Sequence, residues 1–347
     1  MDLSTYDANS LGNPAYNLFG LPVTEPDARL VIVPVPWEVT VSYSAGTARA
    51  AENIRKASRQ VDLYDARYHD MWRKGFYLRE ADKKILLKSD YLRKEAEIYI
   101  DYISSGEQLE KNNFMCRSLR EINEGSQFLN NWVHTQTSEL MAQGKLVALL
   151  GGDHSTPFGF IKALAEKHGS FGILQVDAHC DLRKEFEKFT YSHASIMYNV
   201  LEQLPAVSRL VQVGVRDYCD EEIDYINASN GRVVTFFDHD VKEALYEGAT
   251  WKSIVDKVVE ALPEKVYISF DVDGLQPYHC PNTGTPVPGG FEPEQVYYLF
   301  NKLRESGRQI IAFDLTEVGV GDNDWDANVG ARLLFRLCNL LTACNPS

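Results

Sequence analysis

Residues 151–181 of this 347-residue chain read GGDHSTPFGFIKALAEKHGSFGILQVDAHCD. The stretch opens on a glycine-rich turn and continues into a helical pattern at Pro157–His168, followed by an apolar run at Phe171–Val176. It ends on the pattern Asp-x-His-x-Asp at residues 177–181, directly after that run. A helix that leads into a buried strand, with polar side chains where the strand ends, is typical of a parallel α/β sheet.

Strand and helix patterns keep alternating along the chain from Lys145 onward. No linker, internal repeat or low-complexity tract interrupts them, so we predict one α/β domain over residues 1–347, with about eight strands in a sheet covered on both faces. Residues 63–144 are predicted to form a helical insertion, in which Leu119–Gln143 is the clearest helix. The predicted strands are Ala28–Pro34, Lys145–Leu150, Phe171–Val176, Arg209–Val215, Val233–Phe237, Lys265–Phe270 and Gln309–Leu315.

Three of these strands end in potential metal ligands, and the carboxyl ends of parallel strands share one edge of a sheet. Side chains alternate faces along extended backbone, so residues 177, 179 and 181 are predicted to point one way if their segment is extended, and residues 271 and 273 likewise. Ala178 and Cys180 would point away, which makes Cys180 a packing residue and not a ligand. The six predicted ligands are His154, Asp177, His179, Asp181, Asp271 and Asp273.

The four carboxylates in this set decide the expected number of ions. Packed together, they cannot all stay ionised unless positive charge compensates them, and two divalent ions balance all four. Carboxylate oxygens with two imidazoles suit Mn²⁺ best, while Ni²⁺, Co²⁺, Fe²⁺ and Zn²⁺ are possible. A water shared by two such ions has a lowered pKa and supplies a hydroxide nucleophile.

Composition narrows the possible partners. The formal net charge of -14 argues against a nucleic-acid partner and is compatible with a cationic substrate. The opening Met1-Asp2-Leu3-Ser4 does not resemble a signal peptide, and no apolar run approaches the ~20 residues of a membrane span, so no membrane partner is expected. The six cysteines form no CxxC pair, which favours reduced thiols in a cytoplasmic protein.

The segments Gly151-Gly152-Asp153-His154, Asp177-Ala178-His179-Cys180-Asp181 and Ser269-Phe270-Asp271-Val272-Asp273 resemble, in this order, those of the ureohydrolase superfamily of arginase, agmatinase and formimidoylglutamase. The resemblance covers about residues 29–343. It implies a three-layer α/β/α fold with an eight-stranded, mostly parallel sheet, often in trimers or hexamers, and hydrolysis of a C–N bond of a guanidinium or related group with two Mn²⁺ ions.

The same resemblance implies roles for single residues. One ion would lie between His154 and Asp181, the other between His179 and Asp273, and Asp177 and Asp271 would bridge both. His193 occupies the position of a proton-shuttling histidine, and Glu317 that of a carboxylate that pairs with a planar guanidinium. Thr285, in Asn282-Thr283-Gly284-Thr285-Pro286, matches a loop on the substrate side. The residues implied to be catalytic are therefore Asp177, His193 and Glu317, and those implied to bind substrate are Glu317, His193 and Thr285.

Departures from the family pattern bear on the substrate. Gln276 stands where the family usually has Asp, and Gly319-Val320 where Asn-Pro is frequent. Residues 182–192 lack the Ser- and Asn-rich character that arginases use on the amino-acid end of arginine, which favours a substrate without that end. We therefore expect agmatine, cleaved to putrescine and urea by a homo-oligomeric, agmatinase-like enzyme. Aromatic side chains that could contact a small cation are Trp37, Tyr43, Tyr278 and Trp325.

Other functions stay open at this point. Within the same class, the substrate could be free guanidine or a guanidino acid, or the enzyme could release formamide as a formimidoylglutamase does. A metal-binding assembly protein without turnover is an alternative from a different class, as is a deacetylase on a related fold, although the latter normally needs one zinc ion.

Overall fold

Eight strands pair in parallel into one sheet in the computed structural model, which describes residues 3, 6–9 and 12–346. Most are continuous runs of Val, Ile, Leu and Phe, and the central ones are buried along nearly their whole length, as expected for strands covered on both faces. The strands are β1 (Leu30–Pro34), β2 (Phe76–Leu78), β3 (Leu146–Leu150), β4 (Phe171–Val176), β5 (Val207–Val213), β6 (Val233–Phe236), β7 (Lys265–Asp271) and β8 (Gln309–Thr316).

The order of the strands determines where residues from distant parts of the chain meet. Across the sheet the order is β2-β1-β3-β8-β7-β4-β5-β6. Strands β3 and β4 follow each other in sequence, yet β8 and β7 lie between them. After β6 the chain returns to add β7 and β8, so the connections that leave the neighbouring strands β4 and β7 run in opposite directions across the sheet. Such a switch point leaves a crevice at the carboxyl edge of an α/β sheet.

Helices flank the sheet and complete the predicted α/β/α architecture, so the predicted fold class is confirmed. None of the helices in the described part of the chain is both long enough and apolar enough to cross a bilayer. The helices are α1 (Ala50–Ala57), α2 (Lys83–Ser104), α3 (Asn113–Ala142), α4 (Phe158–His168), α5 (Ile196–Gln203), α6 (Asp220–Ala228), α7 (Asp238–Tyr246), α8 (Trp251–Ala261), α9 (Pro293–Glu305) and α10 (Trp325–Cys344).

The segment 63–144 holds two long helices and one short strand. Strand β2 pairs with β1 at the edge of the sheet, and its three residues are too few to give a clear sequence pattern. Helix α3 begins earlier than the pattern predicted, because the Asn112 side chain accepts the N–H groups of Phe114 and Met115 and caps the helix there. The description of the chain as one domain with a helical insertion stays a prediction.

Candidate metal centre

The polar residues of the centre follow four neighbouring strands. His154 lies in the turn after β3, Asp177 directly after β4, Asp271 at the end of β7, and Glu317 directly after β8. All four side chains are buried. Because β3, β8, β7 and β4 are adjacent in the sheet and parallel, their carboxyl ends bring these residues to one place.

One group of ligand atoms surrounds the imidazole of His154. Its Nδ1 lies 2.9 Å from Oδ2 of Asp177, 2.9 Å from Oδ2 of Asp181 and 3.4 Å from Oδ2 of Asp271. The other ring nitrogen, Nε2, is 2.9 Å from the hydroxyl oxygen of Ser269. Ser269 thus fixes the orientation of the ring and leaves Nδ1 directed at the carboxylates.

A second group surrounds the imidazole of His179 and shares one member with the first. Nδ1 of His179 lies 3.0 Å from Oδ2 of Asp273 and 3.5 Å from Oδ1 of Asp177. Asp177 therefore presents one carboxylate oxygen to each group. Both groups have the residue types and the spacing that could hold a metal ion, and the six predicted ligands all lie in or beside them.

The backbone brings these ligands together differently from the predicted alternation of extended backbone. Asp181 has a left-handed conformation, with φ of 55°, which turns its side chain back toward His154. Residues Val272–Gly274 form a 3-10 turn, in which the Asp271 carboxylate accepts the N–H of Asp273. The condition for the predicted alternation, an extended backbone, is thus not met at Asp181 and at Val272–Gly274, although the side chains meet. Cys180 is fully buried, as expected of a packing residue.

The electrostatics of the centre fit a pair of divalent cations. Burial and the charge of Asp177 raise the pKa of Asp181 to about 7. Burial and the negative charge of Asp273 raise the pKa of Asp271 well above its usual value. Burial would lower the pKa of His154, but its contacts with Asp177 and Asp181 raise it well above the ordinary value. Four buried carboxylates therefore compete for too little positive charge, which two divalent ions would supply.

Two buried ligand atoms also lack a hydrogen-bond partner among the described residues. They are Nδ1 of His154 and Oδ2 of Asp273, one in each group. Each lies close to a polar side chain, His154 Nδ1 at 2.9 Å from Asp177 and Asp273 Oδ2 at 3.0 Å from His179, but without hydrogen-bond geometry, so each is incompletely satisfied. A bound cation would satisfy both atoms, so the donor set fits one ion in each group.

His193 and Glu317 lie together beside the two groups. Nδ1 of His193 is 3.7 Å from Oε1 of Glu317, and its Nε2 is 3.4 Å from the hydroxyl oxygen of Ser42. Burial opposes protonation, but the contact with Glu317 raises the pKa of His193 above its usual value. Oε2 of Glu317 is buried and has no hydrogen-bond partner among the described residues.

A cavity of about 420 Å³ opens onto this centre. Its lining includes His154 and His179 from the two groups, together with His193, Thr285 and the largely exposed Tyr43. Thr285, predicted to lie on the substrate side, therefore lines the same cavity as the candidate ligands His154 and His179.

Trp37 does not line this cavity, and its prediction as a contact for a cation is wrong. Its side chain is fully buried, and a Cβ atom at Gly152 would lie 1.8 Å from its carbonyl oxygen. Only glycine allows this approach. Trp37 thus packs under the turn that carries His154.

Several polar residues near the centre were not predicted to have a role there. Thr40 accepts the backbone N–H of His193 at 3.0 Å, and Ser42 contacts its ring. Gln276, at a position where the family usually has Asp, donates to Glu292 at 3.0 Å and so ties the loop after β7 to the start of α9. Of these positions, only Gln276 had a sequence signal, as a departure from a family pattern.

Comparison with known proteins assigns the family. The family model described as "Arginase family" matches residues 28–339. The N(1)-aminopropylagmatine ureohydrolase of Thermus thermophilus is 28% identical over 316 residues, which cover 90% of this chain and 90% of the relative. The mitochondrial agmatinase of Gallus gallus is 34% identical over 214 residues, 58% of this chain and 59% of the relative.

Solved structures agree on the fold. The proclavaminate amidino hydrolase of Streptomyces clavuligerus superimposes with a TM-score of 0.70 at 18% identity, over 97% of this chain and 100% of that one. Since the family model matches nearly the whole chain, the protein belongs to the arginase family of hydrolases, which act on C–N bonds of guanidino compounds.

Proposed function

We propose that the protein hydrolyses agmatine to putrescine and urea with two Mn²⁺ ions bound between its four carboxylates and two imidazoles. The observation that carries this proposal is the pair of ligand groups that share Asp177 beside an open cavity. When bound, two such ions supply a water of lowered pKa that acts as the nucleophile. His154, Asp181, His179 and Asp273 would hold the ions, and Asp177 and Asp271 would contact both.

Glu317 is the residue that we propose to bind the guanidinium. A carboxylate pairs with a planar guanidinium through two parallel hydrogen bonds. One oxygen of Glu317 already accepts the N–H of His154, and the other is buried without a partner among the described residues. An unpaired carboxylate oxygen in such a place is costly until a cation donates to it, which supports a cationic substrate group at this position.

His193 is the residue that we propose to move the proton. Attack of water on the guanidinium carbon and loss of the amine requires a proton to pass from the water to the departing nitrogen. The ring of His193 has one nitrogen toward Glu317 and the other toward Ser42, and it lines the cavity. Imidazole can accept a proton at one step and donate it at the next near neutral pH.

A second candidate substrate is N(1)-aminopropylagmatine. The Thermus thermophilus relative named as the ureohydrolase of this compound aligns over 90% of the chain, whereas the agmatinase of Gallus gallus aligns over 58%. Its guanidinium end is that of agmatine, so the proposed roles of Glu317 and His193 hold for both. The cavity of about 420 Å³ falls within the range of about 300–1,000 Å³ that is usual for small-molecule sites.

The experiment that tests these proposals measures urea release by apo-protein loaded separately with Mn²⁺ and Ni²⁺. The substrates are agmatine, N(1)-aminopropylagmatine, guanidine, a guanidino acid and formimidoylglutamate, for which formamide is measured. Preferred turnover of agmatine with Mn²⁺ supports the main proposal, and preferred turnover of its aminopropyl derivative supports the second. Two bound ions and no turnover of any substrate would favour a metal-binding protein without catalysis.

The homo-oligomeric state and the cytoplasmic location stay predictions.

A further inference from the structure

Three polar side chains form one row across β4, β5 and β6 beneath the candidate metal centre. Gln175 is paired in register with Gln212, and Gln212 with Thr235. Both glutamine side chains are fully buried in strands that are otherwise largely apolar, FGILQV and VSRLVQV. Buried amides are retained where each donor and acceptor has a partner, so their hydrogen bonds indicate what the row does.

The row is a chain of hydrogen bonds that runs in one direction. The hydroxyl of Thr235 donates to Oε1 of Gln212 at 2.7 Å, and Nε2 of Gln212 donates to Oε1 of Gln175 at 2.7 Å. Nε2 of Gln212 also donates to the carbonyl oxygen of Cys180 at 2.7 Å. Because that carbonyl can only accept, the amide of Gln212 cannot be reversed, and Gln175 must therefore present its oxygen to Gln212.

The amide nitrogen of Gln175 consequently faces the candidate ligands. It donates to Oδ2 of Asp177 at 2.8 Å and lies 3.5 Å from Oδ2 of Asp181. These two oxygens are the ones that approach Nδ1 of His154. A neutral donor at this point orients both carboxylates without adding a positive charge that would compete with a metal ion.

We propose that Gln175, held in one orientation by Gln212, is a positioning residue that sets the affinity of the His154 group for its metal ion. The inference rests on the metal centre of the proposed function. Residues that orient metal ligands typically change metal affinity by 10–100-fold when they are replaced. Gln175 acts on the carboxylates of Asp177 and Asp181 and touches neither substrate nor reacting atoms.

The test is a measurement of Mn²⁺ affinity by competition with a chelator, on apo-protein whose fold is checked by circular dichroism. Gln175→Met keeps the length of the side chain and removes the donor. We expect it to weaken Mn²⁺ binding at one of the two sites by about 10–100-fold and to leave the other site unchanged. Asn339→Leu is the matched control, because it replaces another fully buried amide far along the chain on α10. It should change the unfolding midpoint and leave both metal affinities unchanged.

A double-mutant cycle tests the anchoring by Gln212. Gln212→Met should weaken Mn²⁺ binding in the wild-type background and much less in the Gln175→Met background, since it acts through Gln175. If Gln175→Met does not fold, Gln212→Met alone is compared with Asn339→Leu. Unchanged affinity in Gln175→Met overturns the proposal, and additive losses in the cycle overturn the anchoring. Wild-type protein that binds no divalent ion would overturn the metal centre itself.

Discussion

The backbone N–H of His154 donates a 2.9 Å hydrogen bond to Oε1 of Glu317. This bond joins the turn after β3 to the end of β8, and so joins a candidate metal ligand to the candidate guanidinium carboxylate. Glu317 has a left-handed backbone conformation, with φ of 62°, which a non-glycine residue adopts only at a cost. Buried strain of this kind concentrates at functional sites.

Glu317→Gln should therefore weaken substrate use while metal stays bound. The amide oxygen can still accept the N–H of His154, so the turn and its ligand keep their position. The charge-assisted pairing with a guanidinium is lost, and a loss of about 2 kcal/mol corresponds to a decrease of roughly 30-fold in kcat/KM. Urea release and metal content, measured on the same sample, check this. Metal loss in the variant would mean that Glu317 supports the ligands instead of the substrate.

Asp177→Ala should abolish turnover and remove both metal ions, because Asp177 offers one oxygen to each ligand group. His154→Ala should also abolish turnover, but it removes a ligand from one group only. We therefore expect a larger fall in metal content for Asp177→Ala than for His154→Ala, measured by atomic emission after loading with Mn²⁺. Asp271→Ala should likewise abolish turnover and lower metal content.

Asp65→Ala is the control for these ligand variants. Asp65 is also a buried carboxylate, but it pairs with Arg336 of α10 at 2.8 Å and belongs to neither ligand group. Its removal leaves Arg336 without this partner and should lower stability, while the number of bound ions stays the same. Wild-type turnover in Asp177→Ala, or loss of metal in Asp65→Ala, would refute the assignment of the ligands.

The parts of the centre that could be predicted from the sequence are those that follow long apolar strands. β3, β4 and β7 are each continuous enough to be recognised, and the ligands lie within a few residues of their ends. The parallel arrangement then places the ligands at one edge, whatever the local backbone does. This is why the ligands meet even though Asp181 and Asp273 are not in extended backbone.

The parts that could not be predicted depend on contacts between distant segments. Nothing near Trp37 in the sequence indicates that the glycine-rich turn packs on its backbone. The sequence therefore predicts Trp37 in a loop beside the substrate, whereas its side chain is fully buried. Gln175 and Gln212 had a weak signal, because each is a polar residue inside a largely apolar strand. Their partnership requires the register of β4 and β5, which only the folded sheet supplies.

Gly319→Ala should disturb the loop that carries Thr285. A Cβ atom at residue 319 would lie 1.7 Å from the carbonyl oxygen of Asn282 and 2.8 Å from the backbone nitrogen of Thr283, so the backbone itself must move. We expect a loss of about 1–3 kcal/mol in the free energy of unfolding, together with a raised KM. Urea denaturation and urea-release kinetics measure the two effects.

Gly330→Ala is the control for the crowding at Gly319. The nearest neighbours of its Cβ would be side-chain atoms, Cδ1 of Ile54 at 3.0 Å and Cγ1 of Val318 at 3.2 Å, and a gain in helix propensity of about 1 kcal/mol offsets this crowding. Unchanged stability and KM in both variants would mean that the loop at Asn282 yields without effect on Thr285.

His168 should make the protein less stable as the pH falls from about 6.5 to about 4. Burial, with the charges of Lys167 and Lys265, lowers the pKa of His168 from 6.5 to about 4 in the folded state. Between these values the unfolded chain binds more protons than the folded one, so stability decreases as the pH decreases. His168→Gln removes this one group. The slope of its unfolding free energy against pH should therefore be smaller than that of the wild type, by the equivalent of up to about one bound proton. Urea denaturation of both proteins between pH 4.5 and 7.5 measures the difference, and parallel curves would contradict the lowered pKa.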